Sequence, residues 1–194
     1  QQVRENGFIP AMFGLEQRGM QAGEEVDDPA MAAIWWQRAM HSACDFAEEL
    51  AALNVHKQLA NRILEPFTWV TVIVSSTEWQ NFFNLRLSPL AQPEIYRVAE
   101  HMHRALINHE PNEVDWGGWH IPLADDKEVA VGRLARVSYE SGPKTDQEER
   151  DLCARLKKDG HWSPFEHIAM ATHTDVYKSR NFDYGWAQWR GMID

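Results

Sequence analysis

Asp27-Asp28-Pro29 constrains this chain more than any other short stretch. Carboxylates ahead of a proline mark the first turn of a helix, where the missing proline N–H costs nothing. Beyond it Met31, Ile34, Trp35, Phe46, Leu50 and Leu53 recur on one helical face through residue 53. A chain that opens its regular structure with so long a helix is committed to a helix-rich fold.

Residues 1 to 26 show no period and read as loop with at most a short helix. A second helical stretch, Val55 to Leu64, stops at Pro66. "FTWVTVIVSS", residues 67 to 76, is β-branched and aromatic and predicts a strand. Ser75 and Glu78 have capping-box spacing for a helix over Thr77 to Arg86, and Pro93 opens another that runs to Asn108. "EPNEVDWGGWHIP" reads as a loop with two tryptophans, followed by a helix over Val129 to Tyr139. Thr145 and Glu148 form a second capping box, whose helix ends in basic residues and Gly160. Ile168 to His173 predicts a strand. The expected fold is α+β, mostly helical with a small β-sheet, and no repeat or linker divides residues 1 to 194 into more than one domain.

Composition removes several classes of function. The 194 residues carry a formal charge of −10, which excludes a duplex-DNA binder and leaves no nucleic-acid polymer among the expected partners. An anionic small ligand would still need local arginines. The two cysteines, Cys44 and Cys153, form no CxxC pair, which favours a reducing, cytoplasmic setting over a disulfide scaffold. No apolar run approaches the roughly 20 residues of a membrane span, so no membrane partner is expected. Nine tryptophans promise an aromatic core or flat surfaces for planar ligands. No signal peptide is visible, and a chain that starts at Gln1 is expected to be processed or to begin inside a longer protein.

"GHWSPFEHIAM", residues 160 to 170, gathers the polar residues able to do chemistry. It is not HExxH, because the glutamate follows the first histidine by five residues. A zinc site would need a further ligand, for which His101, His103 and His120 are the candidates. The plainer reading is a helix end and a Ser-Pro turn, with Glu166 capping a backbone group.

Four segments taken together add a resemblance. They are "VHKQLANRILEPF" with Arg62, "EWQNFFNLRLSPLAQPEI" with Asn81, Arg86 and Gln92, "RLARVSY" ending in Ser138-Tyr139, and "GHWSPFEH". They resemble the flavin-dependent thymidylate synthases over roughly residues 55 to 100 and 130 to 170. The order is rotated, with ARVSY and SPFEH last, as in a bacteriophage-type branch. The family's RHR-x-x-S-x-N-E-x-S-x-R-Y signature does not occur, and its nearest fragment is Ser179-Arg180-Asn181. In the rotated order that signature would lie upstream of Gln1, so the chain is expected to lack an N-terminal segment.

The resemblance implies methylation of dUMP to dTMP, with methylenetetrahydrofolate as carbon source, reduced FAD as hydride source, NADPH as cosubstrate, and a homotetramer with shared sites. It implies that Arg86 stabilises charge on the uracil edge, a task suited to a planar, permanently charged donor fork. Arg62 would contact dUMP as well, at its phosphate. Ser75, Ser76 and Thr77 would pass the flavin, Asn81 would meet it with an amide, and His161, Ser163 and Glu166 would shape the turn around it. Each residue also has a plainer reading. Arg86 sits at a helix end, Arg62 can pair with Glu65, Asn81 is polar on an aromatic face, and Ser75 to Thr77 can cap a helix. Leu90 stands where family members often carry histidine. "NFDYGWAQWR", residues 181 to 190, can stack on a ring or pack at a subunit interface. Two rival functions remain open: a catalytically inactive nucleotide-binding or structural subunit on the same scaffold, and a flavin-dependent pyrimidine modification with another one-carbon group.

Overall fold

The structure, a computed structural model, describes residues 1–18, 23–138, 142–173, 182 and 185–193. They fall into two units. One comprises Gln1–Val70 and Phe82–Asn108, the other Thr71–Asn81 and His109–Asp194.

In the first unit α1 (Gln2–Asn6) precedes the long α2 (Pro29–Ala52). Asp28 caps α2 as its sequence requires, the carboxylate accepting the Met31 N–H at 2.9 Å. Two features hold α1 on α2. The Arg4 guanidinium reaches Asp45 and Glu48, and Val3, Met40, Cys44 and Phe67 form a buried cluster flanked by Trp36, Ala43 and Leu64. The Trp36 indole N–H donates to the Phe8 carbonyl at 2.8 Å. The burial of α2 departs from expectation. Met40, Cys44 and Ala47 face inward, whereas Met31, Ile34, Trp35, Phe46 and Leu53 lie exposed.

Past α2 the chain forms α3 (Lys57–Ala60) and a 3-10 turn over Asn61–Phe67. The expected single helix is thereby split, and Pro66 lies inside the turn instead of beyond its end. The strand expected over residues 67 to 76 is not formed: Phe67 closes the 3-10 turn, and residues 68–76 join no strand ladder among the described residues. Strand propensity is worth only about 1 kcal/mol and depends on cross-strand neighbours. Here Val70, Val72 and Val74 are exposed. Next comes α4 (Gln80–Arg86), which starts three residues later than its capping signal implied; Phe82–Arg86 belong to this unit. Its Phe83 ring packs edge-on to His103 of α5 (Pro93–Ile107), and Ala99 of α5 is fully buried.

The second unit contains a three-stranded antiparallel sheet in the order β1 (Trp119–His120), β2 (Ala169–Ala171), β3 (Trp186–Gln188). Trp119 pairs with Met170 and His120 with Ala169; across β2, Ala169 faces Gln188 and Ala171 faces Trp186. Between β1 and β2 lie α6 (Lys127–Ala135) and α7 (Asp146–Lys158). Asp126 caps α6 through the Glu128 and Val129 amides, so this helix opens and closes earlier than its apolar pattern suggested. The Thr145–Glu148 capping box of α7 is formed in both directions.

The two helices approach so closely that a Cβ on Gly132 would stand 2.4 Å from Glu149 Oε2 and 2.8 Å from Glu149 Cα. Glu149 is 2% exposed and is ion-paired with Arg136, whose Nε donates to Oε2 at 3.2 Å. Beneath the helices Ala130, Val131, Leu134, Cys153, Phe165, Ile168 and Trp189 form one core. The chain ends its described part with α8 (Arg190–Ile193). Helices therefore dominate, with one small sheet, as the α+β reading requires.

Candidate functional site

The "GHWSPFEH" turn is built by the end of α7. Gly160 takes φ +72°, a conformation that glycine adopts without strain. Its N–H donates to the Lys157 carbonyl, and the His161 N–H to the Leu156 carbonyl at 2.9 Å. These two bonds satisfy carbonyls that the helix end would leave open. The chain then forms a 3-10 turn over Ser163–His167, with Pro164 in its first positions. Phe165 is buried against Trp162 and Trp189 and anchors the turn in the core. Ser163 and His161 are left exposed.

Glu166 does not act as a backbone cap. Its carboxylate pairs with Arg190, and its carbonyl accepts from the Gln188 amide at 2.8 Å. The turn is thus held by two residues of the aromatic stretch 181 to 190, the part of the sequence whose role was left open.

His167 makes the long-range connection. Its Nδ1 lies 3.0 Å from the Ser75 hydroxyl, across 92 residues of sequence. Ser75 is therefore held by the turn. Ser76 makes the local contact instead, its hydroxyl accepting the Glu78 N–H at 3.2 Å, while its carbonyl accepts the Trp79 indole N–H at 2.9 Å. Val74, Ser75, Ser76, Thr77 and Trp79 line a cleft of about 310 Å³ together with His120, Phe182 and Trp186. His120 and Trp186 meet edge to face at 6.3 Å between ring centres.

Burial lowers the pKa of His120. Burial also lowers that of His167, assisted by the nearby His120 and opposed by Glu166. Both imidazoles are consequently neutral at neutral pH, each offering one donor and one acceptor. The cleft combines aromatic surface with hydroxyls and neutral imidazoles, which suits an uncharged planar heterocycle.

The sequence-derived residues are thus only partly gathered. Ser75, Ser76 and Thr77 share the cleft, and His167 ties them to the turn that carries His161, Ser163 and Glu166. Asn81 is exposed in the first turn of α4. Arg62 and Arg86 belong to the other unit. Arg62 is exposed, with Glu65 3.7 Å away, as its plainer reading anticipates. Arg86 is exposed at the last residue of α4. In the same unit Leu90 lines a cavity of about 330 Å³ with Ser88, Pro93 and Tyr96.

The arginine of "RLARVSY" is Arg136, whose partner is the buried Glu149; Tyr139 and Ser179-Arg180-Asn181 lie outside the described residues. Among the described residues no three His, Cys, Asp or Glu side chains gather as a metal site. Reading the sequence missed His167 as a link and His120 and Trp186 as cleft walls. The alternation of aromatic and polar residues around 120 and 186 was the available signal.

One unit is helical and carries the exposed Arg62 and Arg86; the other is α+β and carries the aromatic, hydroxyl-lined cleft. A model described as thymidylate synthase complementing protein matches residues 4–112, more than half of the chain, and the chain belongs to that family. The flavin-dependent thymidylate synthase of Thermosipho africanus (strain TCF52B) is 40% identical over 53 residues, 27% of this chain and 23% of that relative. The chain therefore matches about a quarter of that relative's length. No solved structure matches. The family match includes Arg62, Ser75 to Thr77, Asn81 and Arg86, while the turn at 161 to 167 lies beyond it.

Proposed function

We propose that this chain carries part of the machinery of a flavin-dependent thymidylate synthase, which methylates dUMP with methylenetetrahydrofolate and reduced FAD, NADPH serving as reductant. The observation that carries this reading is the His167–Ser75 bond. It brings the Ser75–Thr77 segment, inside the family match, against the SPFEH turn that the same resemblance marks as flavin-shaping.

The residues fit such a group in kind and size. A cleft of about 310 Å³ with three aromatic rings, serine and threonine hydroxyls and a neutral imidazole admits a single ring system. Bound flavin would supply the hydride chemistry; the protein binds, orients and excludes water. Trp186 and Phe182 would cover the ring faces. Ser75, Ser76 and Thr77 would meet its polar edge, with Ser75 fixed by His167. Asn81 would donate and accept through its amide. Glu166, neutralised by Arg190, would hold the turn that presents Ser163 and His161. Arg62 would take the dUMP phosphate and Arg86 the uracil edge, where its fork stabilises negative charge as C5 becomes nucleophilic. By the same resemblance the sites are shared within a tetramer, in the cytoplasm of a bacteriophage host.

The test is titration of the 194-residue chain with FAD, followed by quenching of flavin fluorescence. Saturable binding that weakens in Ser75→Ala is expected. A chain that takes up no flavin would sink the reading. Binding of flavin and dUMP without turnover, even with the signature segment supplied in trans, would move it to the inactive subunit.

A further inference from the structure

β1 is an edge strand of the sheet, and the chain on either side of it encloses a second space that the proposed function leaves unused. This cavity is about 520 Å³, against about 310 Å³ for the cleft, and His120 lines both. All of its lining residues lie between His109 and Asp125, within the second unit. Trp119 and Ile121 give it apolar wall, and His109, Asn112, His120 and Asp125 give it polar groups. An aromatic and aliphatic wall with a few convergent polar groups is the usual make-up of a small-molecule site.

The loop that closes the cavity is held in an unfavourable shape. Leu123 takes φ +69°, a region that residues with a Cβ avoid. The Arg133 guanidinium fixes it there, donating to the Leu123 carbonyl at 2.6 Å and reaching Asp146 at 3.3 Å. Strain of this kind persists only where the surroundings enforce it. Its consequence is the placing of Asp125 on the cavity wall. Asp125 and its neighbour Asp126 then have different tasks. Asp126 caps α6 and lies 3.7 Å from Arg150. Among the described residues no hydrogen bond or ion pair engages the Asp125 carboxylate or the Asn112 amide.

We propose that this cavity is a binding site for an uncharged ribonucleoside, with the ribose diol on Asp125 and the base against Trp119. A carboxylate only accepts, and its two oxygens match two neighbouring hydroxyl donors. The Asn112 amide can donate and accept at once, which suits the polar edge of a base, and the imidazoles of His109 and His120 add further polar contacts. An indole offers flat apolar area to a planar ring. The site is unsuited to a phosphate. No lysine or arginine is among its lining residues, the Lys127 ammonium lies over the Trp119 ring at 3.7 Å instead, and the Asp125 charge would repel an anion. This inference stands whatever occupies the cleft.

Titration calorimetry of the 194-residue chain with adenosine, dideoxyadenosine and AMP tests it. Adenosine should bind with a dissociation constant below about 1 mM. Dideoxyadenosine, which lacks the diol, should bind about tenfold more weakly or worse, the usual loss for hydrogen bonds to a charged group. AMP should also bind about tenfold more weakly or worse, because its phosphate meets Asp125. Asp125→Asn, at an exposed position, should weaken adenosine about tenfold with circular dichroism unchanged, and should shrink the penalty on AMP to about threefold or less. Asn112→Ala should weaken adenosine about threefold or more. Absence of adenosine binding up to several millimolar overturns the proposal. So does AMP or dideoxyadenosine binding as tightly as adenosine, or adenosine binding indifferent to Asp125→Asn.

Discussion

Replacing Gly132 by alanine tests how α6 and α7 meet. In a solvent-exposed helix the change would stabilise by about 1 kcal/mol, because glycine is the poorer helix former. Here the new methyl would stand 2.4 Å from Glu149 Oε2 and 2.8 Å from both its Cα and Cβ. The carboxylate could swing away only by loosening the pairing with Arg136. The Cα cannot yield without moving α7. Overpacking a filled interior costs about 1–3 kcal/mol, and breaking a buried ion pair about 3–5 kcal/mol when one charge is left alone. Partial displacement of the pair, set against the helix gain, leaves a net loss of about 2–4 kcal/mol. Urea unfolding followed by tryptophan fluorescence measures it. Gly142→Ala is the control, since a Cβ there meets nothing within 4 Å, and it should change stability by less than about 1 kcal/mol. If Gly132→Ala is as stable as the parent chain, the close approach of the two helices is wrong.

Three further outcomes are expected. Arg86→Lys should lower the rate of dUMP methylation about 10²–10³-fold with the fold intact, because an ammonium cannot reproduce a two-pronged contact; near-normal turnover would assign Arg86 to structure. Arg62→Ala should raise KM for dUMP about ten- to a hundredfold with little change in kcat, and the effect should shrink for deoxyuridine; an equal penalty for both substrates would place its partner inside the protein. His120 and His167, held below their ordinary pKa by burial, bind fewer protons folded than unfolded, so stability is unaffected by them above the ordinary histidine value of about 6.5 and is lost as pH falls below it through their lowered folded-state values. Their replacement by Gln should flatten that part of the stability profile, and an unchanged slope between about pH 7 and 5 would contradict their burial.

Local chemistry was legible in the sequence. Asp28, the Thr145–Glu148 box and the Gly160 stop each act through atoms within a few residues, and each stands where its spacing placed it. Non-local partners were not legible. Residues 68–76 have the side chains of a strand, but a strand exists only with a neighbour. The apolar stripe of α2 was visible as a stripe, yet periodicity does not say whether the protein's own interior or another surface covers it. Ser75 had the spacing of a cap, but His167, far along the chain, competes for its hydroxyl. Trp186 and His120 could be seen as aromatic or polar, and only the strand register set them beside one cleft.

The His167–Ser75 bond also dictates when the cleft can exist. A ribosome adding about 5–20 residues per second needs roughly 5–18 s to travel the 92 positions between the two side chains. Closing a flexible loop of that length costs about 4 kcal/mol of chain entropy, which the α6–α7 core must offset first. Until then Ser75 to Thr77 have no wall behind them. A ligand of this cleft cannot stabilise the nascent chain; it finds its site only after the chain has been made past Trp186, and any product stopped short of His167 is born without one.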